Sequence, residues 1–226
     1  MQGIVFDFDG IIVDTELPIY QIWAGLYDSY GFILTKEKWR QAIGTRNNFD
    51  PIEDLNLLLG QRGSKAVLGE SDYLNVQDQI KERMSGSIEP VFGVVDWLDE
   101  AQDLGLKIGI ASSSPNNWLL RFLGRLGLDS RFEAIVGVDG HLRPKPFSDV
   151  YEAACELLDV DPKLSLAVED SRFGLIAAKS IQMKAIVLPS VLTAGDDFSL
   201  ADLVLSDFTQ TTLTEAIESI NSKGGN

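Results

Sequence analysis

Cysteine and histidine are nearly absent from this 226-residue sequence, which contains one of each. Cys155 has no partner for an internal disulfide, so a secreted disulfide scaffold is excluded and a reducing, cytoplasmic compartment is expected. Tyr151, Ala154 and Leu158 share its helical face, which predicts a core residue rather than a nucleophile. His141 is the only imidazole, and we expect it in an exposed loop. Ser-His-Asp, Cys-His and imidazole-based zinc chemistry are therefore disfavoured.

Positively charged residues are also scarce. The chain has 19 Lys and Arg residues and 34 Asp and Glu residues, so its net charge is −15. Nucleic acids and anionic membranes are bound through basic surfaces, so neither is an expected partner. No apolar run approaches the roughly 18 residues of a membrane-spanning helix, and no export signal is expected. The glycine spacing matches neither G-x-G-x-x-G nor G-x-x-x-x-G-K-[ST], which excludes those two phosphate-binding loops. The expected partner is a small molecule, and the expected assembly is a monomer or weak homodimer.

Short apolar runs alternate with stretches of helical period, which predicts an α/β fold with a parallel sheet covered by helices. The predicted strands are residues 4–6, 107–111, 134–138, 164–168 and 184–188. The predicted helices between them are residues 94–103, 118–126, 148–158 and 173–181. About a hundred residues separate the first two strands, far more than one crossover helix needs. A second unit is therefore inserted after the first strand.

The inserted stretch, residues 15–87, has the apolar spacing of helices throughout. Ile19, Ile22, Trp23 and Leu26 recur at i, i+3 and i+4 in its first helix, and further helices are predicted at 36–43, 51–59 and 72–84. Glycines interrupt these segments, and the return linker 85–93 has the glycine and proline content of a hinge. This pattern predicts a small helical bundle at 15–87 and a core domain formed by residues 1–14 and 88–226.

Polar side chains follow four of the predicted strands, at the point where each strand ends. They are Asp7 and Asp9 after the first strand, Ser112 after the second, Lys145 after the third, and Glu169 with Asp170 after the fourth. Ligands of open α/β sheets bind beyond the carboxyl ends of the strands, so we expect these side chains at one rim. Each fragment alone could be an ordinary turn or helix cap. Their joint placement favours a functional site.

The charges of this rim indicate its ligand. Up to four carboxylates would face one ammonium group there, and their mutual repulsion would raise some pKa values unless a cation entered. All-oxygen ligands suit a hard ion, and Mg²⁺ is favoured because it commonly bridges carboxylates and a phosphate. The sequence therefore predicts a Mg²⁺ site that accepts a phosphate group.

Four motifs, in their order along the chain, resemble those of the haloacid dehalogenase superfamily. The resemblance is to the branch in which a helical domain, called the cap, is inserted after the first strand. The motifs are Asp7-Phe8-Asp9-Gly10 with Val13-Asp14-Thr15-Glu16, Ser112 after an apolar strand, Lys145-Pro146, and Glu169-Asp170-Ser171-Arg172-Phe173-Gly174. The match covers essentially the whole chain. The resemblance implies a Rossmann-like core with an inserted four-helix-bundle cap that closes over the substrate.

The resemblance also implies a role for each motif residue. Asp7 would be the nucleophile that forms an aspartyl-phosphate, and Asp9 the general acid and base. Ser112 and Lys145 would hold the phosphoryl oxygens. The implied Mg²⁺ ligands are Asp7, the backbone carbonyl of Asp9, Glu169 and Asp170. The residues expected to contact substrate are Thr15, Arg46, Ser113 and Asn116.

An acid at position 9 points to phosphate esters, since dehalogenases of this superfamily lack one there. The leading hypothesis is a Mg²⁺-dependent phosphatase acting on a small phosphorylated metabolite, in particular a sugar phosphate. A β-phosphoglucomutase-like mutase is the first alternative, but Ile19 stands where those mutases carry a histidine in the first cap helix. A non-catalytic regulator that binds a phosphometabolite is the second, and the complete set of motif residues argues against it.

Overall fold

The computed structural model describes residues 1–45, 48–86 and 88–223. Six strands form one parallel sheet in the order β3-β2-β1-β4-β5-β6. The strands are β1 (Gly3–Phe6), β2 (Lys107–Ala111), β3 (Ala134–Val136), β4 (Ser165–Glu169), β5 (Lys184–Val187) and β6 (Leu203–Val204). All residues of β1 and β4 are buried, as expected for the central strands of a sheet covered on both faces. The predicted α/β fold is confirmed.

The five predicted strands are all present, with small shifts at their ends. Strand β3 stops at Val136, two residues early, because the backbone then turns away from the sheet. Gly137 donates its N–H to the side chain of Asn116 at 2.6 Å, and Val138 donates to the carbonyl of Ser114 at 3.0 Å. Strand β6 was not predicted, since two residues carry no detectable periodicity.

Helices pack on both faces of the sheet. Those outside the insertion are α5 (Val94–Asp103), α6 (Asn116–Leu126), α7 (Asp149–Leu158), α8 (Arg172–Ser180) and α9 (Leu213–Lys223). Helix α5 has the predicted bounds, α6 begins two residues early after Pro115, and α9 was not predicted. Side chains alternate along β1, with Ile4 and Phe6 in one hydrophobic cluster and Val5 in the other. The sheet thus separates two cores.

The insertion contains α1 (Glu16–Ser29), α2 (Lys36–Trp39), α3 (Pro51–Gln61) and α4 (Glu70–Ser85). Trp23 and Tyr27 of α1, Leu55 of α3 and Ile80 of α4 are buried, so the predicted helical period marks the packed faces. Only one helical turn forms at α2, because residues 41–43 continue with i→i+3 hydrogen bonds. The division into a core of 1–14 and 88–226 and a cap of 15–87 stays a prediction.

The single cysteine and the single histidine lie where the sequence predicts them. Cys155 is buried on α7 beside Tyr151 and Ala154, and burial raises the pKa of its thiol to about 11. A thiol with so high a pKa is not a nucleophile at neutral pH. His141 is exposed in the loop after β3. Among the described residues, no helix is long and apolar enough to cross a membrane.

Candidate active site

The carboxyl ends of β1 and β4 meet at the centre of the sheet, where the strand order changes direction. Asp7 follows β1 directly and donates its backbone N–H to the carbonyl of Val168 at 2.8 Å. Glu169 ends β4, and Asp170 comes next. All three acidic side chains are buried. This reversal of strand order is where doubly wound α/β folds bind their ligands.

A tight turn after Asp7 brings the chain against Asp170. Gly10 has a φ of +90°, and its N–H donates to the carbonyl of Val13 at 2.7 Å. A Cβ at Gly10 would lie 2.5 Å from Asp170 Oδ2, closer than a side chain allows. The turn therefore needs glycine both for its left-handed conformation and for its approach to the carboxylate.

Lys145 reaches this acidic group from the loop after β3. Its Nζ lies 2.5 Å from Asp7 Oδ1 and 2.5 Å from Glu169 Oε1, and the side chain is completely buried. Burial disfavours the ammonium form, but the two carboxylates outweigh it and raise the pKa of Lys145. Tyr151 of α7 donates its hydroxyl to Glu169 Oε1 at 2.7 Å. Lys145 is thus a permanent counter-charge beneath the site.

One lysine does not balance the acids around it. Burial, with the nearby charges of Glu169 and Asp9, raises the pKa of Asp7 to about 7, against the opposing effect of Lys145. Burial, followed by the charges of Asp7 and Glu169, also raises the pKa of Asp170 well above its usual value. The site consequently favours either protons or a cation at these carboxylates.

The arrangement of three carboxylates fits a hard metal ion. Asp7, Glu169 and Asp170 each offer a ligand atom within 4.8 Å of the others. Neither carboxylate oxygen of Asp170 has a hydrogen-bond partner within the part of the chain that the structure describes, although both are buried. Buried carboxylate oxygens without a partner are costly unless a cation covers them. The oxygen donors suit Mg²⁺.

Glu169 is held more firmly than the other two acids. Its Oε1 accepts hydrogen bonds from Lys145 and Tyr151. Its Oε2 accepts two from Ser171, one from the hydroxyl at 3.0 Å and one from the backbone N–H at 3.3 Å. A Cβ at Gly174 would lie 1.9 Å from Oε1, so the close packing of Glu169 on α8 depends on that glycine. These contacts orient Glu169 toward Lys145.

The carboxylate of Asp9 accepts hydrogen bonds from four side chains. Oδ1 accepts from the Thr15 hydroxyl at 2.5 Å and from Trp118 Nε1 at 3.1 Å. Oδ2 accepts from the Ser114 hydroxyl at 2.6 Å and from the Ser112 hydroxyl at 3.4 Å. Two of these donors, Ser114 and Trp118, were not predicted, and they come from the start of α6 and the loop before it.

A small cavity opens above these acids. Its volume of about 70 Å³ equals roughly two waters at about 30 Å³ each, which suits a phosphoryl group but not a whole sugar phosphate. Part of its wall comes from the insertion, because the Ser113 hydroxyl donates to the carbonyl of Gly44 at 3.0 Å. The lining residues are Asp7, Asp9, Glu16, Gly44, Thr45, Ser112, Ser113 and Ser114.

The residues expected to contact substrate lie in different places. Ser113 lines the cavity. Thr15 is buried, and its hydroxyl donates to Asp9. Asn116 accepts the N–H of Gly137 and so braces the end of β3. Arg46 lies outside the described residues. The structure therefore brings Thr15 and Ser113 to the acidic group, whereas Asn116 stabilises the end of strand β3.

The sequence reasoning missed Glu16 as a site residue. Burial, with the charges of Asp9 and Asp7, raises the pKa of its carboxyl to about 8, so it is mostly protonated at neutral pH. Its place directly after Thr15 in the first motif was a signal that could have found it. Trp118 had no such signal, since an aromatic residue at helical spacing equally fits a hydrophobic core.

The fold and the site define a doubly wound α/β protein with a buried acidic centre at the point where the strand order reverses. Residues 4–188 match the family described as haloacid dehalogenase-like hydrolase, and the chain belongs to that family. The four motifs predicted this membership, which is confirmed.

Two named relatives agree with this assignment, and a solved structure shares the fold. Putative phosphatase YhcW of Bacillus subtilis (strain 168) is 35% identical over 223 residues, which are 99% of each chain. Phosphorylated carbohydrates phosphatase of Thermotoga maritima is 29% identical over 186 residues, covering 82% of this chain and 84% of that one. The crystal structure of β-phosphoglucomutase from Clostridium difficile has a TM-score of 0.72 over 100% of both chains at 21% identity, which shows a shared fold.

Proposed function

We propose that this protein is a Mg²⁺-dependent phosphatase that hydrolyses a small phosphorylated metabolite, a sugar phosphate in particular, in the cytoplasm. The observation that carries the proposal is the pairing of buried Asp7 with Lys145 beside the carboxylate of Asp170, which has no hydrogen-bond partner among the described residues. A carboxylate held by an ammonium at the mouth of a phosphoryl-sized cavity is suited to attack phosphorus. The names of YhcW and of the Thermotoga enzyme support the same reaction class.

In the proposed mechanism, a carboxylate oxygen of Asp7 forms a bond to phosphorus while the ester P–O bond breaks. The leaving oxygen takes a proton from Asp9, which lies on the same cavity wall. Asp9 then accepts a proton from the water molecule that attacks phospho-Asp7, and inorganic phosphate leaves. Both steps use one acid group in turn, first as a proton donor and then as an acceptor.

Lys145 and Ser112 have electrostatic roles in this mechanism. The ammonium of Lys145, fixed on Asp7 and Glu169, offsets the charge that accumulates as phosphate approaches a carboxylate. The Ser112 hydroxyl lies within the cavity wall, accepts the N–H of Ser114 at 2.9 Å and donates only over a long 3.4 Å contact to Asp9. It is therefore free to turn toward a phosphoryl oxygen.

The metal site would be formed by Asp7, Asp170 and the backbone carbonyl of Asp9, with Glu169 as a further direct or water-mediated ligand. When bound there, Mg²⁺ would offset the negative charges of the carboxylates and of the phosphoryl group. Asp170 is the firmest candidate ligand, because no described side chain donates to its buried oxygens. Asp7 lies in the same group of ligand atoms.

The remainder of the substrate would extend from the cavity toward the insertion. Glu16, Thr45 and Ser113 line that side. A carboxyl group that is mostly protonated at neutral pH, as the pKa of Glu16 near 8 implies, can donate a hydrogen bond to a sugar hydroxyl. Arg46, predicted from the sequence to contact substrate, follows Thr45 directly. A polyhydroxylated phosphate ester matches these polar groups.

The test is phosphate release from a panel of sugar phosphates with Mg²⁺, with EDTA, and with the variant Asp7→Asn. We expect release that EDTA abolishes and that Asp7→Asn does not support. Asp78→Asn is a matched control, because Asp78 is exposed on α4 and pairs there with the exposed Lys81. Sustained turnover by Asp7→Asn would contradict the mechanism.

The same panel separates the two alternatives. Conversion of β-glucose 1-phosphate to glucose 6-phosphate with little free phosphate would establish a mutase, which the isoleucine at position 19 disfavours. Binding of phosphorylated compounds without hydrolysis of p-nitrophenyl phosphate above the Asp7→Asn level would establish a non-catalytic regulator.

A further inference from the structure

Asp9 has a hydrogen-bond donor at each of its lone-pair positions. A carboxylate offers about four such positions, two on each oxygen. Thr15 and Trp118 occupy those of Oδ1, and Ser114 and Ser112 occupy those of Oδ2. An acid that exchanges a proton with substrate needs one oxygen free, so at least one of these contacts must be released during the reaction.

The four donors differ in whether they can also act as hydrogen-bond acceptors. A hydroxyl can rotate, leave its acceptor or become an acceptor itself, and three of the four donors are hydroxyls. The indole Nε1–H of Trp118 is only a donor, and it points in a fixed direction within the ring plane. That ring is packed at 4.7 Å between centroids on Phe122, which is completely buried and in turn packs on Phe8. Trp118 is therefore the least adjustable partner of Asp9.

A donor that cannot become an acceptor determines which carboxylate oxygen of Asp9 carries the proton. On Oδ1, the position toward Trp118 is closed to a proton because the indole has no lone pair with which to accept it. The other position faces Thr15, which is completely buried, whereas Ser112 and Ser114 line the cavity. On Oδ2, by contrast, a proton faces the hydroxyls of Ser112 and Ser114, which can accept or turn away. The Ser112 contact is also the longest of the four, at 3.4 Å.

We propose that Trp118 is a positioning residue that holds Asp9 through Oδ1 and so assigns the proton transfer to Oδ2. The inference rests on the proposed role of Asp9 as the general acid. During ester cleavage, Oδ2–H gives its proton to the leaving oxygen as the P–O bond breaks, and Asp9 becomes a carboxylate that Thr15 and Trp118 still hold. Ser112 leaves Oδ2 at that stage, because its hydroxyl turns to the phosphoryl group.

The test is Trp118→Phe, which keeps a six-membered aromatic ring against Phe122 and removes the N–H together with the rest of the indole's five-membered ring. Proton donation matters for a poor leaving group such as a sugar alkoxide, and much less for p-nitrophenolate. We expect kcat/KM to fall roughly tenfold for the sugar phosphate, the order expected for one lost hydrogen bond to a carboxylate. For p-nitrophenyl phosphate we expect a fall of less than about twofold. Equal falls for both substrates, or no fall for either, would overturn the inference.

Trp97→Phe is the matched control, since it removes an indole N–H that donates to the carbonyl of Phe208 at 3.1 Å, away from the site. It should leave the ratio of the two kcat/KM values unchanged. A crystal structure of Trp118→Phe supplies a readout that does not depend on activity. We expect the Asp9 carboxylate to leave its position or to occupy two rotamers, and an unchanged Asp9 would overturn the inference. If the unaltered protein hydrolyses neither substrate, the proposed function fails, and the crystal structure still decides the positioning role.

Discussion

Lys145 Nζ lies 2.5 Å from Asp7 Oδ1, although 138 residues separate the two along the chain. Both side chains are buried, and a buried ion pair adds little net stability because both charges lose their hydration. In the proposed mechanism its value is chemical, since Lys145 offsets the negative charge of the nucleophile beside a site that would admit a phosphate dianion. The parallel sheet makes the pairing possible by collecting residues from distant strands at one edge.

Mg²⁺ should stabilise the protein more at high pH than at low pH. The pKa of Asp7 is raised to about 7 from its usual 3.8, and that of Asp170 is raised in the same direction. Between pH 3.8 and about pH 7, Asp7 keeps in the folded protein a proton that it has released in the unfolded chain. The free energy of unfolding of the metal-free protein therefore falls as the pH rises through this window.

Mg²⁺ replaces those protons, so it binds more tightly once the carboxyls are deprotonated. We expect the increase in Tm on adding Mg²⁺ to be larger at about pH 8 than at about pH 5.5. Thermal unfolding with and without the ion measures this difference. Asp170→Asn should remove most of the increase, and an increase that is independent of pH would contradict the metal site.

Gly174 should be intolerant of even one added methyl group. In Gly174→Ala the Cβ would lie 1.9 Å from Glu169 Oε1, so Glu169 must move and lose its contacts with Lys145 and Tyr151. Overpacking of this kind costs roughly 1–3 kcal/mol of unfolding free energy. We also expect weaker Mg²⁺ binding, measured by calorimetry.

Gly25→Ala is the matched control for this substitution. Gly25 lies within α1, and a Cβ there would meet nothing within 4 Å. Alanine in an open helical position should raise the free energy of unfolding by about 0.5–1 kcal/mol. If Gly174→Ala were as stable as Gly25→Ala and bound Mg²⁺ normally, the packing of Glu169 would not depend on glycine.

The sequence predicted the acidic centre because each acid directly follows a buried apolar run. Asp7 and Glu169 lie at the ends of neighbouring strands, and parallel strands all end at one edge of the sheet. The contact between Trp118 and Asp9 could not be predicted in this way. It depends on the direction in which one side chain leaves α6, and periodicity gives only the buried face of a helix.

Turn geometry was the other limit of the sequence reasoning. The segment after α2 has helical spacing, but the chain closes i→i+3 hydrogen bonds up to Ile43 and then reverses at Gly44, with a φ of +72°. That reversal places the carbonyl of Gly44 on Ser113. A local preference for helix therefore yields to a contact between the insertion and the rim of the sheet.

Arg40 should hold the insertion against the rest of the protein. Its Nε donates to the carbonyl of Leu192 at 2.9 Å and lies 3.5 Å from Asp196 Oδ1, both in the loop after β5. In Arg40→Ala we expect faster limited proteolysis in the predicted linker 85–93, with cleavage sites located by mass spectrometry. The reason is that the predicted cap loses a direct bond to the core.

Arg62→Ala is the control for this prediction. Arg62 donates to the carbonyls of Tyr30 and Gly31, so all of these contacts lie within the insertion. Its loss should leave the cleavage rate of the linker unchanged. Equal rates in Arg40→Ala and the unaltered protein would show that the Arg40 contact does not restrain the linker.

The proposed mechanism depends on phosphorylation of Asp7 during turnover, and chemical trapping detects that intermediate. The protein is mixed with Mg²⁺ and a sugar phosphate that it hydrolyses, and then quenched with borohydride, which reduces an acyl phosphate to an alcohol. Mass spectrometry of the peptide that contains Asp7 then identifies the product. The proposed mechanism predicts homoserine at position 7, with none when substrate is omitted. Phosphate release without any modification of Asp7, or with the modification on another residue, would contradict it.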